Sequence, residues 1–215
     1  MKTLRIDEIE PIPVVDGKLH WRPLRRRLGI EAFGINAYTA DAGELVIEEH
    51  DETGAGAGHH EELYVVISGR ATFTVDGVDL DGPVGTCVFL DDPEERRAAH
   101  AVEDGTTVLA IGGVRGEPFT VSPWEFVFAG VPAYEGRRYD EAKALLVEGL
   151  ELHPGNASLL YDLACMEALL GERDAALEHL EAAVRDRRFR EFAETDSDLD
   201  SLRDDPRFPA ATAPG

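Results

Sequence analysis

The sequence predicts an α+β chain of two domains, an antiparallel β-barrel followed by α-helical hairpins. Two observations carry this expectation. From about Ile30 to Gly113, short runs rich in β-branched and aromatic residues alternate with Gly, Asp and Pro turn signals. After about Ser122 the apolar period changes from two to that of a helix. A length of 215 residues with 43% hydrophobic content suffices for two small cores. The pattern places an N-terminal extension at 1–29, the barrel at 30–120, a helical domain at 121–208 and a tail at 209–215.

Strands are expected near Ile35–Thr39, Glu44–Glu48, Leu63–Ile67, Ala71–Val75, Thr86–Leu90, Arg97–Val102 and Thr107–Ile111. Turn signals at Asp41-Ala42-Gly43, Asp76-Gly77, Asp81-Gly82-Pro83 and Asp104-Gly105 separate them. Many short strands imply a barrel or sandwich. Leu63–Ile67 and Ala71–Val75, joined by Ser68-Gly69, read as a hairpin. Gly54-Ala55-Gly56-Ala57-Gly58 precedes a strand instead of opening a helix, which argues against a dinucleotide-binding turn. A surface loop is the simpler expectation, and a lid over a cavity the sharper one.

In the second half, Ala142, Leu145, Leu146, Gly149 and Leu150 form one apolar helical stripe. Ala176, Leu180, Ala183 and Val184 repeat it at an offset of 34 residues, with small residues where paired helices would cross. Pro154-Gly155 ends the first unit, and Asp198–Phe208 resembles the terminal helix that closes such arrays in related proteins.

The densest chemistry lies in His59–Gly69, HHEELYVVISG. Side chains alternate across a strand, so Glu62, Tyr64 and Val66 share a face with His60, and Leu63, Val65 and Ile67 take the other. Imidazole and carboxylate donors at the mouth of an apolar strand suit a divalent metal or a small-molecule ligand. If the strand near Arg96 alternates in the same way, Arg96 and His100 share a face, and an inward Arg96 opposite Glu62 forms a buried pair or clamps a carboxylate or phosphate. The plainer alternatives are polar loop histidines and a solvent-facing Arg96. Tyr64, Phe73, Phe89 and Trp124 either line a cavity or pack a core, the commoner role of aromatics. His153 and His179 fall in the helical region, where structural roles are expected.

These residues resemble the cupin superfamily. Glu62, then LYVVIS, then Gly69 fits the end of that family's first motif, and Gly85, with fifteen residues between it and Gly69, fits the opening of its second. The resemblance implies a β-barrel with a metal held by His59 or His60 and Glu62, joined by His50 or His100, the metal being Fe, Mn, Ni, Cu or Zn. It implies a dioxygenase, isomerase, decarboxylase or non-catalytic binder. Two departures bear on this: His59 and His60 are adjacent and stand directly before Glu61-Glu62, and the second motif's histidine position falls on Arg96, whose guanidinium has no lone pair for a metal. That replacement favours small-molecule binding, with Tyr64 and Arg96 as ligand contacts, over catalysis. The helical repeat resembles the tetratricopeptide repeat, two units covering about Ser122–Arg188, which implies a structural or protein-interaction module.

Composition narrows the partners. A formal charge of −22 argues against nucleic acid, because no compensating basic stripe accompanies it. The clusters Arg22–Arg27 and Arg185–Arg190 are short and read as solvated or interdomain surface. No run of about eighteen apolar residues is present, and Met1–Val15 lacks a signal-type apolar run, so a cytoplasmic protein without a membrane partner is expected. Cys87 and Cys165 fall in different domains and read as buried, unbridged thiols. The apolar face of Leu63, Val65 and Ile67 needs cover, from which a homodimer is expected.

Overall fold

The structure is a computed structural model, which describes residues 1–54 and 57–209. The chain divides into two compact units, residues 1–121 and 122–215.

The first unit is built on two antiparallel sheets. Six strands lie in the spatial order β1 (Ile12–Val14), β2 (Leu19–Arg22), β3 (Gly34–Ala40), β10 (Thr106–Gly113), β5 (Glu61–Ser68) and β8 (Cys87–Leu90). Four more lie in the order β4 (Leu45–His50), β9 (Arg97–Ala101), β6 (Arg70–Val75) and β7 (Val78–Pro83). Inward residues of both sheets form one core, with Tyr64, Val66, Val88 and Val108 from the first and Val46, Phe73 and Ala99 from the second.

Seven strands stand close to their expected positions, and three were not foreseen. Residues 1–29, expected as an extension, hold β1, β2 and a short helix α1 (Leu24–Leu28), and β2 pairs with β3. The arginine cluster there is partly structural: Arg25 is buried, donates to the Ile30 carbonyl at 3.0 Å and lies over the Phe119 ring. Asp81-Gly82-Pro83, expected as a turn, ends the edge strand β7, where a proline costs no ladder hydrogen bond.

The expected β5–β6 hairpin does not form. Those strands belong to different sheets, and Gly69 turns the corner between them with φ +68°. A Cβ at Gly69 would stand 2.8 Å from the Thr106 Cα, so the corner requires glycine both for its backbone angle and for space. The hairpin is β6–β7 instead, closed by Asp76-Gly77, both residues left-handed, with Val75 opposite Val78. Cys87, expected to be buried, points to the exposed face of β8, whereas Cys165 is buried. Phe89, one of the expected core aromatics, is 56% exposed on that same face.

The second unit packs α2 (Pro123–Glu135) on α3 (Tyr139–Leu152), α3 on α4 (Ala157–Leu170) and α4 on α5 (Arg173–Ala183). Pro123 occupies the first helical turn of α2, Asn156 caps α4 by accepting from the Leu159 amide, and Gly171 ends α4 in the left-handed conformation. The helix starts repeat at 34 residues, Pro123 to Ala157 and Tyr139 to Arg173. Buried positions repeat with them: Gly130 and Ala164, Ala142 and Ala176, Leu146 and Leu180, Gly149 and Ala183. At Gly149 a Cβ would meet Leu159 and Phe126 at 3.0 Å, so the α3 backbone approaches its neighbours more closely than any side chain allows.

A further helix α6 (Arg187–Ala193) buries Phe189 within the second arginine cluster. The terminal helix expected over Asp198–Phe208 is reduced to a 3-10 turn, Ser197–Leu202, packed on α4. Pro206 disfavours helical geometry at Asp205 before it, which stops the segment from continuing. Among the described residues no helix is long and apolar enough to cross a membrane.

Candidate metal and ligand site

Three acid–base side chains converge on the inner face of the first unit. His50 ends β4, Glu52 follows in the turn after it, and Glu62 opens β5; one donor atom from each lies within 4.8 Å of the others. Register brings them together, because His50 pairs with Arg97 on β9 while Glu62 faces inward two residues before Tyr64. His50 Nε2 stands 3.7 Å from Glu52 Oε1 and 3.5 Å from Glu62 Oε2.

Each member is held by its surroundings. His50 Nδ1 donates to the Glu48 carbonyl at 2.8 Å, which leaves Nε2 facing the carboxylates. Glu52 is buried, and its Oε2 accepts from the Gly58 amide at 2.9 Å and the His60 amide at 3.3 Å. The Glu62 carboxylate accepts a hydrogen bond from the Tyr64 hydroxyl. Arg97 is 1% exposed, with Nε 3.4 Å from Glu62 Oε2 and Nη1 donating to the Glu95 carbonyl at 2.6 Å.

The electrostatics follow from burial opposed by pairing. Burial alone would lower the His50 imidazole, but Glu62, with help from the Glu48 carbonyl and Glu52, raises it above the ordinary histidine value. Burial pushes Glu62 up, yet His50, Tyr64 and Arg97 together hold it below the usual carboxylate value. Tyr64 is raised well above an ordinary phenol by burial and then by Glu62. Arg97 Nη2 and Asn36 Oδ1 are among the buried polar atoms that have no hydrogen-bond partner among the described residues. Asn36 lies in the same row as Tyr64 across β3, β10 and β5, so its side chain shares the inner face.

The donor set fits a divalent metal. At metal–donor distances of about 2.1 Å, tetrahedral ligand atoms sit about 3.4 Å apart, close to the two separations from His50 Nε2. A neutral imidazole with its other nitrogen fixed by a carbonyl, plus two carboxylates, is chemistry suited to Fe, Mn, Ni or Zn.

Of the residues singled out in the sequence, the structure brings Glu62, Tyr64 and His50 together. His59 is exposed in a left-handed loop conformation. His60 is buried, but its ring packs beside Phe119 at 5.6 Å and only its backbone reaches Glu52. His100 is exposed on β9. Arg96 points outward and pairs with Glu49 at 2.6 Å. Glu52 and Arg97 were missed. Side-chain spacing marked neither: backbone amides hold Glu52, and a one-residue offset turns Arg97 inward in place of Arg96. Part of the Gly54–Gly58 loop, Ala55 and Gly56, lies outside the described residues, so its expected lid role does too.

No protein-family model matches the chain, and no curated protein sequence matches it. Solved structures do resemble it. A predicted oxalate decarboxylase from Thermotoga maritima is 18% identical, with 52% of this chain and 97% of that one covered and a TM-score of 0.42. An RmlC-like cupin protein from Desulfovibrio desulfuricans is 21% identical, with 52% and 95% covered and a TM-score of 0.41. A sugar phosphate isomerase of the cupin superfamily from Silicibacter pomeroyi is 18% identical, with 52% and 74% covered and a TM-score of 0.42.

Proposed function

We propose that the first unit is a cupin-type metal-dependent binding module for a small organic acid. One observation carries the metal: His50, Glu52 and Glu62 converge while the Glu48 carbonyl fixes the His50 tautomer. Charge supports the class of ligand. A divalent ion and Arg97 contribute three positive charges and Glu52 and Glu62 two negative ones, which leaves one positive charge inside a buried site. A single carboxylate on the ligand neutralises it, with the unpartnered Arg97 Nη2 as a hydrogen-bond donor.

The metal, when bound, supplies a Lewis acid that polarises a ligand oxygen. The chain's own groups do the rest: Arg97 orients the carboxylate, Asn36 offers an unused acceptor, and the Tyr64 hydroxyl donates a hydrogen bond that holds Glu62 in place. An enzymatic reading of the same site, of dioxygenase, isomerase or decarboxylase type, is favoured by the protein supplying three donors and a cation where a fourth donor would close the site. The second unit is read as two tetratricopeptide units, on the strength of the 34-residue recurrence of helix starts and buried small residues.

Titration of tag-free protein with Mn²⁺, Ni²⁺ and Zn²⁺ tests this. Wild type, His59→Ala and Arg96→Ala should bind one equivalent, and His50→Ala and Glu62→Gln should lose it. Equal binding by His50→Ala and wild type overturns the site. Arg97→Met should keep the metal and lose small monocarboxylates such as glycolate; retained glycolate affinity removes Arg97 from the ligand site. Turnover of a bound acid would decide for the enzyme.

A further inference from the structure

The helical unit has a cavity of its own, of about 170 Å³, which the metal site does not use. Val131, Leu146 and Met166 form apolar wall, and Asp162, Asp196 and Asp198 border it. Two of these acids are occupied. Asp196 accepts from the Tyr161 hydroxyl at 2.8 Å and caps the Asp198 amide at 3.0 Å, while Asp198 accepts from the Tyr134 hydroxyl at 2.9 Å. Asp162 has no hydrogen bond or ion pair among the described residues. It borders the cavity and is partly buried there.

The charge around this cavity is unbalanced. None of the three acids pairs with a lysine, arginine or histidine among the described residues. The nearby Arg203 spends its guanidinium on the Asp196 backbone carbonyl, at 2.8 Å, and on Asp200. Burial first and then Asp196 push the Asp162 carboxyl up to about 7, and burial also raises Asp198. Burial, then Asp198, raises Tyr134 to about 12. Asp162, Asp198 and Tyr134 around the cavity are thus all shifted upward, by burial first and by neighbouring acids after it, and α3 presents only Ala142 and Leu146.

A bare metal ion is a poor answer to that imbalance. The only cluster of three donors close enough for one, among the described residues, is His50, Glu52 and Glu62 in the other unit. The apolar walls call for a cation with a hydrocarbon body, of roughly five or six non-hydrogen groups at about 30 Å³ each.

We propose that this cavity binds an alkylammonium or alkylguanidinium group, its charge at Asp162 and its chain against Val131, Leu146 and Met166. The group comes either from a free small amine or from a lysine or arginine side chain of a protein partner. A full-length titration with pentylamine and butylguanidine, beside lysine and arginine blocked at both ends, separates the two sources: free amines alone binding indicates a small-molecule site, and the blocked residues binding as well indicates a side-chain site. Pentanol, the neutral analogue, should not bind. Asp162→Asn should weaken binding about tenfold or more, the usual consequence of removing one partner of a buried charge pair. Asp204→Asn, which removes an exposed acid, should leave it unchanged. Because Asp162→Asn keeps the side chain's shape, its circular dichroism should match wild type. Absence of binding by folded wild type at 10 mM probe, a concentration of about the weakest useful affinity, overturns the proposal. So does equal weakening by Asp162→Asn and Asp204→Asn, which would mean attraction to the acidic surface at large.

Discussion

Glu62 and Tyr64 were legible in the sequence because strand alternation alone sets their face, and both point inward. Arg97 was not, since a one-residue slip in a strand exchanges faces and nothing in the local sequence fixes that register. The difference is testable. Arg96→Ala should leave the melting temperature unchanged, because its pair with Glu49 is solvated. Arg97→Met should destabilise by about 2–4 kcal/mol in urea denaturation, because Glu62 is left buried with one partner fewer. Glu52 escaped notice for a different reason: its partners are backbone amides across the loop at Gly58 and His60, and such bonds leave no mark in side-chain spacing. Asp162 gives a second prediction at this scale. Its folded value of about 7 is raised above the unfolded carboxylate value of 3.8, so the native state holds a proton that the unfolded chain releases. Stability from this group is complete below pH about 4 and is lost as the pH rises through about 7, at about 1.4 kcal/mol per pH unit at most. Asp162→Asn should therefore flatten the fall in melting temperature between about pH 4 and about pH 7, the two ends of that window; an unchanged slope would exclude Asp162 as its source.

At the scale of elements, periodicity found the long strands and the apolar stripes of α3 and α5, and chemistry that only tertiary structure reveals decided the rest. β1 and β2 are short and lie among prolines and charges, so only pairing with β3 makes them strands. Ser68-Gly69 and Asp76-Gly77 carry similar turn signals. The first changes sheets and the second closes a hairpin, a distinction set by where β10 and β9 take up their partners. Gly69 is the strictest of these positions: Gly69→Ala adds a Cβ against the Thr106 backbone at a left-handed angle and should cost about 1–3 kcal/mol or prevent folding. Gly77→Ala, also at positive φ but with open space around it, should cost less, and a urea series on the two variants checks the order. In the helical unit Ala176 is 0% exposed at the α4–α5 contact, so Ala176→Leu should overpack it by about 1–3 kcal/mol.

For the whole molecule, the unresolved physical demand is the outer face of the six-stranded sheet. Ile35, Ile111, Leu63 and Phe89 form one row across β3, β10, β5 and β8, and Leu109, Val65 and Cys87 form the next. Phe89 is 56% and Ile67 36% exposed on this face. A homodimer through it is proposed, a two-fold contact in which each copy covers the other's apolar rows. Charge opposes this association, since each copy carries −22 and copies repel over about 10 Å at 0.1 M salt and over about 30 Å at 0.01 M. The dimer should therefore tighten as salt is added, the reverse of a complex held by opposite charges. Light scattering should give twice the chain mass of 23.5 kDa at about 0.15 M salt and a lower average at about 0.01 M. The double variant Ile67→Glu, Phe89→Glu should be monomeric in both, with a melting temperature at high dilution equal to that of dissociated wild type, because neither side chain is in the core. A wild-type monomer at every salt and protein concentration would rule the dimer out, and a dimer that the double variant leaves intact would move the interface to another face.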